Sequence, residues 1–453
     1  MFKKIELWIV CLLIIFFFII LVLYGGILRH SHLGGQKFKF VQSAAVFVSE
    51  IPHNIKKIFQ ISNDQGYYFL DKTGRFVEKN QSKILSNDRT DGLLLLSRYN
   101  RDEGKSMVEV IDLKNYEIIH KYSPSTEKIL NSFDYKGNNE LKEQKFNLSK
   151  NRFYMWHPLL DNKGNIIFNA TSPLFKIGFC GDILWTNAEN LYHHSIEKDH
   201  QDNIWVPSLL NPNLIKEKNF NDYKGDDGIS QISSNGKIIF EKSVIQILID
   251  NGYKHLLFSQ LNYSGDVIHL NDIEPVLNDG EYWKKGDVFL SIRNLSMIVL
   301  YRPSTNEIIK MLRSPNFSFQ HDVDILDKKT ISIFNNNLYN TSKGQRIFTT
   351  SEIIGYDFEE DKYFKIHNSS MKKYNMKTNF GGLYQRLNDG SYMIEEQEHG
   401  RIMLFNSNDD LIWEYVNKSD DGKVYVLRWS RIIQDEKIIK NFKKLVETKK
   451  CIN

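Results

Sequence analysis

Histidine recurs at the start of short apolar segments along the chain of 453 residues. Four such segments begin at His157, His194, His269 and His321, and each continues into an alternation of apolar and polar residues that is typical of a β-strand. Arg293 lies in the strand that follows the His269 segment. Because a guanidinium offers a planar fork of donors to paired oxygens, imidazoles together with an arginine favour a site for an anionic group.

Two kinds of chemistry suit imidazole beside guanidinium. Protonated imidazole stabilises charge that develops on a transferred group or on a leaving oxygen. A neutral imidazole can instead attack the group directly and hold it covalently. The sequence contains no phosphate-binding glycine loop and no clustered Cys and His residues, so we expect no nucleotide-bound donor, no cofactor and no metal ion.

The recurrence of histidine also has a structural interpretation, in which duplication of a repeat leaves the same residue at each strand start. The residues that flank each histidine differ while the histidine persists, which favours a shared site. His157 is the weakest member, because its neighbours Trp156 and Pro158 suit a structural turn.

Short strands joined by polar turns are the elements that must bring these histidines together. Segments 108–122, 229–242, 297–312 and 401–415 each read as a strand, a turn with Asn, Asp or Gly, and a second strand. From residue 61 onward about six such units follow one another, each of roughly 40–60 residues, as in the blades of a propeller. The sequence therefore predicts an all-β, six-bladed β-propeller over residues 61–453, with helical spacing at 432–450 that suggests a closing helix.

The N-terminal segment predicts one transmembrane helix. Residues 7–24 carry no charge, and with residues 25–28 they are long enough to cross a hydrocarbon core of about 30 Å. The apolar run is longer than that of a cleaved signal and lacks a small-residue cleavage site, which favours an uncleaved anchor. We expect a cytoplasmic segment at 1–6, the anchor at 7–28, and a linker with a short amphipathic helix at 29–60.

Charge and cysteine content exclude little. There are 59 Lys and Arg against 55 Asp and Glu, a balance that does not indicate a nucleic-acid partner. Lys3 and Lys4 favour a cytoplasmic N-terminus, although basic residues also follow the apolar run. Outside that run, Cys180 and Cys451 are the two cysteines that could pair, and the sequence leaves open whether they meet.

At the histidine segments the sequence resembles the bacterial arylsulfotransferase family of six-bladed propellers. The resemblance rests on YHHSIEKDHQDNIWV, HLNDIEPV followed by GDVFLSIRNLSMIVLYRP, FQHDVDILDKKTISIF and NDDLIWEY, which together lie within residues 150–416. No single segment is specific, but the ordered set His-His, His-x-Asn, Ser-x-Arg-Asn and Gln-His-Asp is.

The resemblance implies transfer of a sulfuryl group from an aryl sulfate ester to a phenolic acceptor, by a ping-pong route through a sulfohistidine. His321 would be the nucleophile, and His194, His269 and Arg293 would bind the sulfuryl oxygens while the histidines assist the departing phenolate. The His193–His194 pair leaves the register open, and equivalence with His321–Asp322 favours His194. We also expect His193, His157, Asn271 and Asn294 to bind substrate.

The resemblance also implies a periplasmic propeller anchored to the lipid bilayer through residues 7–28. Its small-molecule partners would be the aryl sulfate donor and the phenolic acceptor, and oligomerisation of the chain with its own copies is left open.

Two other functions remain open at this stage. The axial histidines could bind a divalent metal in a propeller lyase or hydrolase, although Arg293 and the lack of an evident carboxylate ligand argue against it. The chain could also be a non-catalytic, membrane-tethered binding propeller, because a fold does not by itself determine a function.

Overall fold

The computed structural model describes residues 6–32, 39–63, 67–133, 152–170, 173–216, 225–258, 266–313, 315–342 and 344–451. The chain divides into two compact units, Met1–Tyr67 and Tyr68–Asn453.

The first unit contains two helices, Leu7–His32 and Lys39–Asn63. The first helix is long and apolar enough over Leu7–Ser31 to cross a membrane, and its apolar side chains are exposed. It is therefore a candidate membrane span, which agrees with the predicted transmembrane helix, and both an anchor and a signal sequence meet this description. The second helix packs against the first, where the Tyr24 hydroxyl donates a hydrogen bond to the Ala45 carbonyl at 2.9 Å.

The second unit is a six-bladed β-propeller, which confirms the predicted fold. Each blade is an antiparallel sheet of at least four strands, and the outermost strands are the most exposed. From the channel outward, the strands are Arg431–Ile433, Leu93–Asn100, Lys105–Asp112 and Glu117–Tyr122 in blade 1; Trp156–Leu160, Ile166–Asn169, Leu174–Ile177 and Ile183–Asn187 in blade 2; Glu197–Lys198, Ile204–Leu209, Asp227–Ile232 and Ile238–Ser243 in blade 3; Leu270–Pro275, Val288–Ile292, Met297–Arg302 and Glu307–Arg313 in blade 4; Val323–Ile325, Thr330–Asn335, Glu352–Asp357 and Lys362–Ile366 in blade 5; and Leu383–Arg386, Tyr392–Glu396, Arg401–Phe405, Leu411–Val416 and Ser82–Ile84 in blade 6.

Short elements decorate the blades. Leu191–Tyr192 pairs with the second strand of blade 3, and a hairpin of Leu338–Thr341 and Gly344–Ile347 is inserted in blade 5. Among the described residues of the propeller unit, the short helices are Thr126–Leu130, Val244–Asp250, Lys254–Phe258 and Asn368–Lys373, with a 3-10 turn at Gln397–His399. A second 3-10 turn, Tyr67–Phe69, lies at the boundary between the two units.

The ring closes by exchanging strands between its ends. Arg431–Ile433 pairs with Leu93–Asn100 and so supplies the innermost strand of blade 1. Ser82–Ile84 pairs with Leu411–Val416 and adds a fifth strand to blade 6. The predicted helix at 432–450 is therefore wrong at its start: the helix occupies Glu436–Thr448, because residues 432–433 are needed to complete blade 1.

The apolar core lies between neighbouring blades rather than in one central mass. Six buried clusters each join a different pair of adjacent blades. In the cluster between blades 3 and 4, for example, Ile229 and Val299 are fully buried. One blade cannot cover both of its own faces, so the closed ring is what buries them.

The C-terminal helix packs against blades 1 and 2. Ile438 and Phe442 of the C-terminal helix join the cluster between these blades. Beyond the helix, Cys451 forms a disulfide with Cys180 of blade 2. The pairing that the sequence leaves open is thus made.

Candidate functional site

Three of the four strand-start histidines converge where the innermost strands of blades 3, 4 and 5 begin. The ring centroid of His194 lies 5.2 Å from that of His269 and 6.3 Å from that of His321. The ring of His193 adjoins that of His194 at 4.9 Å. We call His193, His194, His269 and His321, together with Arg293, the histidine cluster.

The backbone is unusual at two members of the cluster. His194 has a φ of 57° and His269 a φ of 50°, which is the left-handed region that side chains with a Cβ seldom adopt. Such a conformation costs on the order of 1 kcal/mol or more and persists only where the surrounding structure imposes it. His157, outside the cluster, has a φ of 44°, so this backbone conformation does not by itself distinguish the cluster from the other strand starts.

Hydrogen bonds hold His321 in one tautomer. The Asn336 amide nitrogen donates to the carbonyls of Thr378 and Gly381 at 2.9 and 2.8 Å, so the Asn336 oxygen faces His321 Nδ1, at 2.7 Å. That oxygen can only accept, and therefore Nδ1 carries the proton. His321 Nε2 in turn accepts a hydrogen bond from the Gly381 N–H at 3.0 Å.

His194 is held by a chain of side chains that ends on a carboxylate. Its Nδ1 lies 2.7 Å from Nδ1 of His193, and His193 Nε2 lies 3.0 Å from Asp227 Oδ1. Asp227 is 5% exposed, and its other oxygen accepts the Leu270 N–H at 2.9 Å. Sequence reasoning missed Asp227, which begins the third strand of blade 3 and belongs to no strand-start histidine segment.

His269 has its own carboxylate partner. Its Nδ1 is hydrogen-bonded to Asp266, which lies three residues earlier. Burial raises the pKa of the Asp266 carboxyl, but the hydrogen bond and the charge of His269 outweigh it and hold that pKa below its usual range. Asp266 was also missed, and no motif in the sequence marks it.

Arg293 lies directly beside His269. Its backbone N–H donates to the His269 carbonyl at 3.1 Å. Residues 276–287, which connect the first two strands of blade 4, lie at the end where Pro275 pairs with Val288, away from Arg293. The guanidinium donates to Asn294 Oδ1 at 3.0 Å and to Gln345 Oε1 at 2.8 Å. Its Nε is buried and has no hydrogen-bond partner among the residues that the structure describes.

Burial and nearby charges disfavour the protonated form of two rings in the cluster. Burial lowers the pKa of His194 well below 6.5, and the neighbouring histidines and Arg293 lower it further. Burial and the charge of Arg293 likewise hold the pKa of His321 well below 6.5. A neutral imidazole has a lone pair that is available for attack or for proton transfer.

His157 has different neighbours. Its ring packs on Trp429 at 4.6 Å, and its Nδ1 accepts the Ile196 N–H of blade 3 at 3.0 Å. Arg431 lies 2.8 Å from its Nε2. Burial and the charge of Arg431 hold its pKa well below 6.5. Its predicted contact with substrate stays a prediction, while its visible contacts join blade 2 to blade 3.

The two predicted asparagines support their neighbours. Asn271 donates to the Gln320 carbonyl at 3.0 Å, next to His321, and its Oδ1 is buried without a partner among the described residues. Asn294 accepts from Arg293 and donates to the Asp266 carbonyl at 2.8 Å. Whether either contacts substrate stays a prediction.

A tryptophan adjoins the cluster on the side of blade 2. The Trp156 ring lies 5.2 Å from that of His194, and its indole N–H is buried without a partner among the described residues. It offers an aromatic surface and a free donor next to the histidines. The sequence suggested a structural turn here, so this neighbour was not foreseen.

Three side chains at or next to the innermost strands bond blade 3 to blade 4, blade 4 to blade 5 and blade 5 to blade 6. Ser195, Asp272 and Asp322 accept backbone N–H groups of the following blade at 3.0 to 3.1 Å. Burial, together with neighbouring carboxylates, raises the pKa of Asp272 and of Asp322. These contacts give the three side chains a structural role. Within the described part of the chain, no group of three or more His, Cys, Asp or Glu residues is arranged to hold a metal ion.

Comparison with known proteins gives one family match. The family model described as Arylsulfotransferase (ASST) matches residues 158–418. No curated protein matches the chain.

Solved structures share only the general fold with this chain. A protein of unknown function from Bacteroides caccae is 12% identical, covers 76% of this chain and 100% of its own, and has a TM-score of 0.46. Virginiamycin B lyase from Staphylococcus aureus is 11% identical, covers 57% of this chain and 69% of its own, and has a TM-score of 0.34. TolB from Acinetobacter baumannii is 9% identical, covers 75% of this chain and 66% of its own, and has a TM-score of 0.42. At these scores the likenesses carry no argument about function.

Proposed function

Because the chain belongs to the arylsulfotransferase (ASST) family, we propose that it transfers a sulfuryl group from an aryl sulfate ester to a phenolic acceptor. The observation that carries the proposal is the meeting of neutral imidazoles with one buried guanidinium. The unpartnered Nε of Arg293 is a charged donor that a sulfate oxygen would satisfy.

The transfer proceeds in two displacements at sulfur. In the first, the lone pair of His321 Nε2 forms the N–S bond, and the S–O bond to the aryl group breaks with its electrons leaving on the phenolate. In the second, the acceptor oxygen attacks sulfur and the N–S electrons return to His321 Nε2. Asn336 supports both steps, because it keeps the proton on Nδ1 and the lone pair on Nε2.

Gly381 must give way in the first displacement. Its N–H donates to the Nε2 that attacks, so this hydrogen bond opens as the N–S bond forms. The released N–H then faces the sulfuryl group and can donate to one of its oxygens. Arg293 and His269 would bind the other oxygens, as the family resemblance implies.

The propeller is proposed to lie outside the cytoplasm, held by the N-terminal helix as a single-pass anchor. The Cys180–Cys451 disulfide supports this location, because structural disulfides persist in oxidising compartments. Protease added to spheroplasts should digest the propeller of the full chain without lysis. Protection of the propeller until lysis would place it on the cytoplasmic side.

The activity is tested with purified full-length protein in detergent, p-nitrophenyl sulfate as donor and phenol as acceptor. We expect release of nitrophenol that depends on phenol, with parallel double-reciprocal plots because the two substrates react in separate steps. His321→Ala should lower kcat/KM by about 10⁴-fold or more, since it removes the nucleophile.

His255→Ala is the matched control, because His255 is an exposed histidine outside the cluster. It should leave turnover unchanged. No acceptor-dependent release from the wild-type protein, or full activity in His321→Ala, would contradict the proposed function.

A further inference from the structure

We infer that Asp227 and His193 position His194 in a proton relay, in which His194 Nε2, already implied by the family resemblance to assist the departing phenolate, also removes the proton of the phenolic acceptor. The inference rests on the proposed sulfuryl transfer and deepens it. It makes His194 the acid–base catalyst of the cluster and gives His193 and Asp227 positioning roles.

The Asp227 carboxylate determines which nitrogens of His193 and His194 carry protons. A carboxylate only accepts hydrogen bonds, so the 3.0 Å contact with Asp227 Oδ1 requires a proton on His193 Nε2. A neutral imidazole has one N–H, and therefore His193 Nδ1 accepts the bond from His194 Nδ1 at 2.7 Å. The lone pair of His194 then lies on Nε2.

That lone pair is free to act. No hydrogen bond to His194 Nε2 occurs among the residues that the structure describes. The ring is half-buried, and it adjoins both His269 and His321. In contrast, Nε2 of His321 is occupied by the Gly381 N–H. His194 therefore presents an unoccupied basic nitrogen next to the proposed position of the sulfuryl group.

The relay balances the protons of the two half-reactions. When the acceptor attacks the sulfuryl group on His321, its O–H proton moves to His194 Nε2 and the N–S electrons return to His321. In the next turnover the same proton moves from His194 to the oxygen of a basic phenolate as the S–O bond breaks, and the exchange of one aryl sulfate and one phenol for another pair then needs no net proton. Nitrophenolate leaves without a proton, so with p-nitrophenyl sulfate as donor His194 releases its proton to water and one proton is produced per transfer.

The Asp227 carboxylate, at the end of the relay, favours protonation of His194. Burial and the surrounding cationic groups disfavour an imidazolium at His194. Asp227 opposes this through His193, because the proton taken up at Nε2 creates a positive charge that a buried carboxylate stabilises. The same surroundings make the imidazolium a ready proton donor to the phenolate.

The test separates the two half-reactions in Asp227→Asn. The burst of nitrophenol from p-nitrophenyl sulfate should persist, because nitrophenolate leaves without a proton. Transfer to phenol at about pH 8.5 should fall on the order of 10²-fold or more, as for loss of general base catalysis. Transfer to 4-cyanophenol, which is largely ionised at that pH, should fall less than about tenfold, because it needs no base.

Two further sets of variants serve as controls. Asp226→Asn alters the neighbouring buried carboxylate, which is bonded to Ser243 and to the Leu214 N–H rather than to a histidine. It should not change the ratio of the two acceptor rates. His193→Asn retains an oxygen that can accept the His194 Nδ1–H and should transfer to phenol faster than His193→Phe, which retains none.

An equal fall in the rates of transfer to phenol and to 4-cyanophenol in Asp227→Asn would show that Asp227 has only a structural role and would overturn the relay. If that variant does not fold, equal phenol rates in His193→Asn and His193→Phe would overturn it. If the wild-type protein released no burst of nitrophenol, this would instead contradict the proposed function, and the relay with it.

Discussion

His157 and His194 begin the innermost strands of adjacent blades, yet their rings do different things. Both adopt the left-handed region, with φ of 44° and 57°, and burial lowers the pKa of both. His157 Nδ1 is taken by the Ile196 N–H of the next blade. His194 is held through Nδ1 by another side chain, and its Nε2 stays open to the cluster.

A shift of one residue accounts for the difference. In blades 3, 4 and 5, the bond to the next blade is made by Ser195, Asp272 and Asp322. His194 and His321 immediately precede two of these residues, so their rings do not make the hydrogen bond to the next blade. In blade 2, His157 makes the bond itself, and Trp156 takes the place beside the cluster. The same pattern in the sequence thus marks a structural histidine in one blade and a candidate catalytic one in the next.

The largest effect expected from this comparison concerns the arginine near each ring, which is Arg293 for His194 and Arg431 for His157. Arg293→Gln should lower kcat/KM by about 10²–10³-fold, as for loss of a donor to a charged transition state. Arg431→Gln is the matched control, because Arg431 lies beside His157 and pairs with Glu197 at 2.8 Å. It should reduce stability and leave most of the kcat/KM. Steady-state kinetics with p-nitrophenyl sulfate measures both variants. A larger loss of kcat/KM in Arg431→Gln than in Arg293→Gln would mean that His157 is the catalytic ring.

A smaller effect is expected from His157→Leu. This change leaves the buried Ile196 N–H without its acceptor, which should lower the free energy of unfolding by about 1–3 kcal/mol. Urea unfolding measures that loss, and nitrophenol release should change far less. A collapse of turnover in a variant that keeps its stability would give His157 the substrate contact that its sequence pattern predicts.

The smallest effect concerns pH. The pKa of His321 lies well below 6.5, so its ring is already neutral at that pH and its lone pair is available. The rate of the nitrophenol burst should therefore stay level as the pH falls from about 8 to 6.5 and decline only below that range, when the ring takes up a proton. A half-maximal rate close to pH 6.5 would mean that the ring is not shielded as its burial indicates.

Local pattern predicts most of the architecture and part of the site. The repeated hairpins predict six blades, because each blade is built from residues close in sequence. The closing strands are invisible to that reasoning: Ser82–Ile84 and Arg431–Ile433 pair with segments about 330 residues away in the chain.

The partners of the histidines show the same limit. Asp227 and Asn336 lie on strands or turns other than those that begin with His194 and His321, and only folding brings each pair together. Position along a motif predicts which residues face the channel. It does not predict which nitrogen of a ring is already bonded.

The central claim is that a sulfuryl group passes through His321. The direct measurement is mass mapping of the wild-type protein after reaction with p-nitrophenyl sulfate in the absence of phenol, with cleavage after Lys and Arg, which separates the peptides of His194 and His321. The account predicts a sulfuryl adduct on His321 that disappears when phenol is added. An adduct on His194, or no adduct on any histidine while phenol is still sulfated, would contradict it.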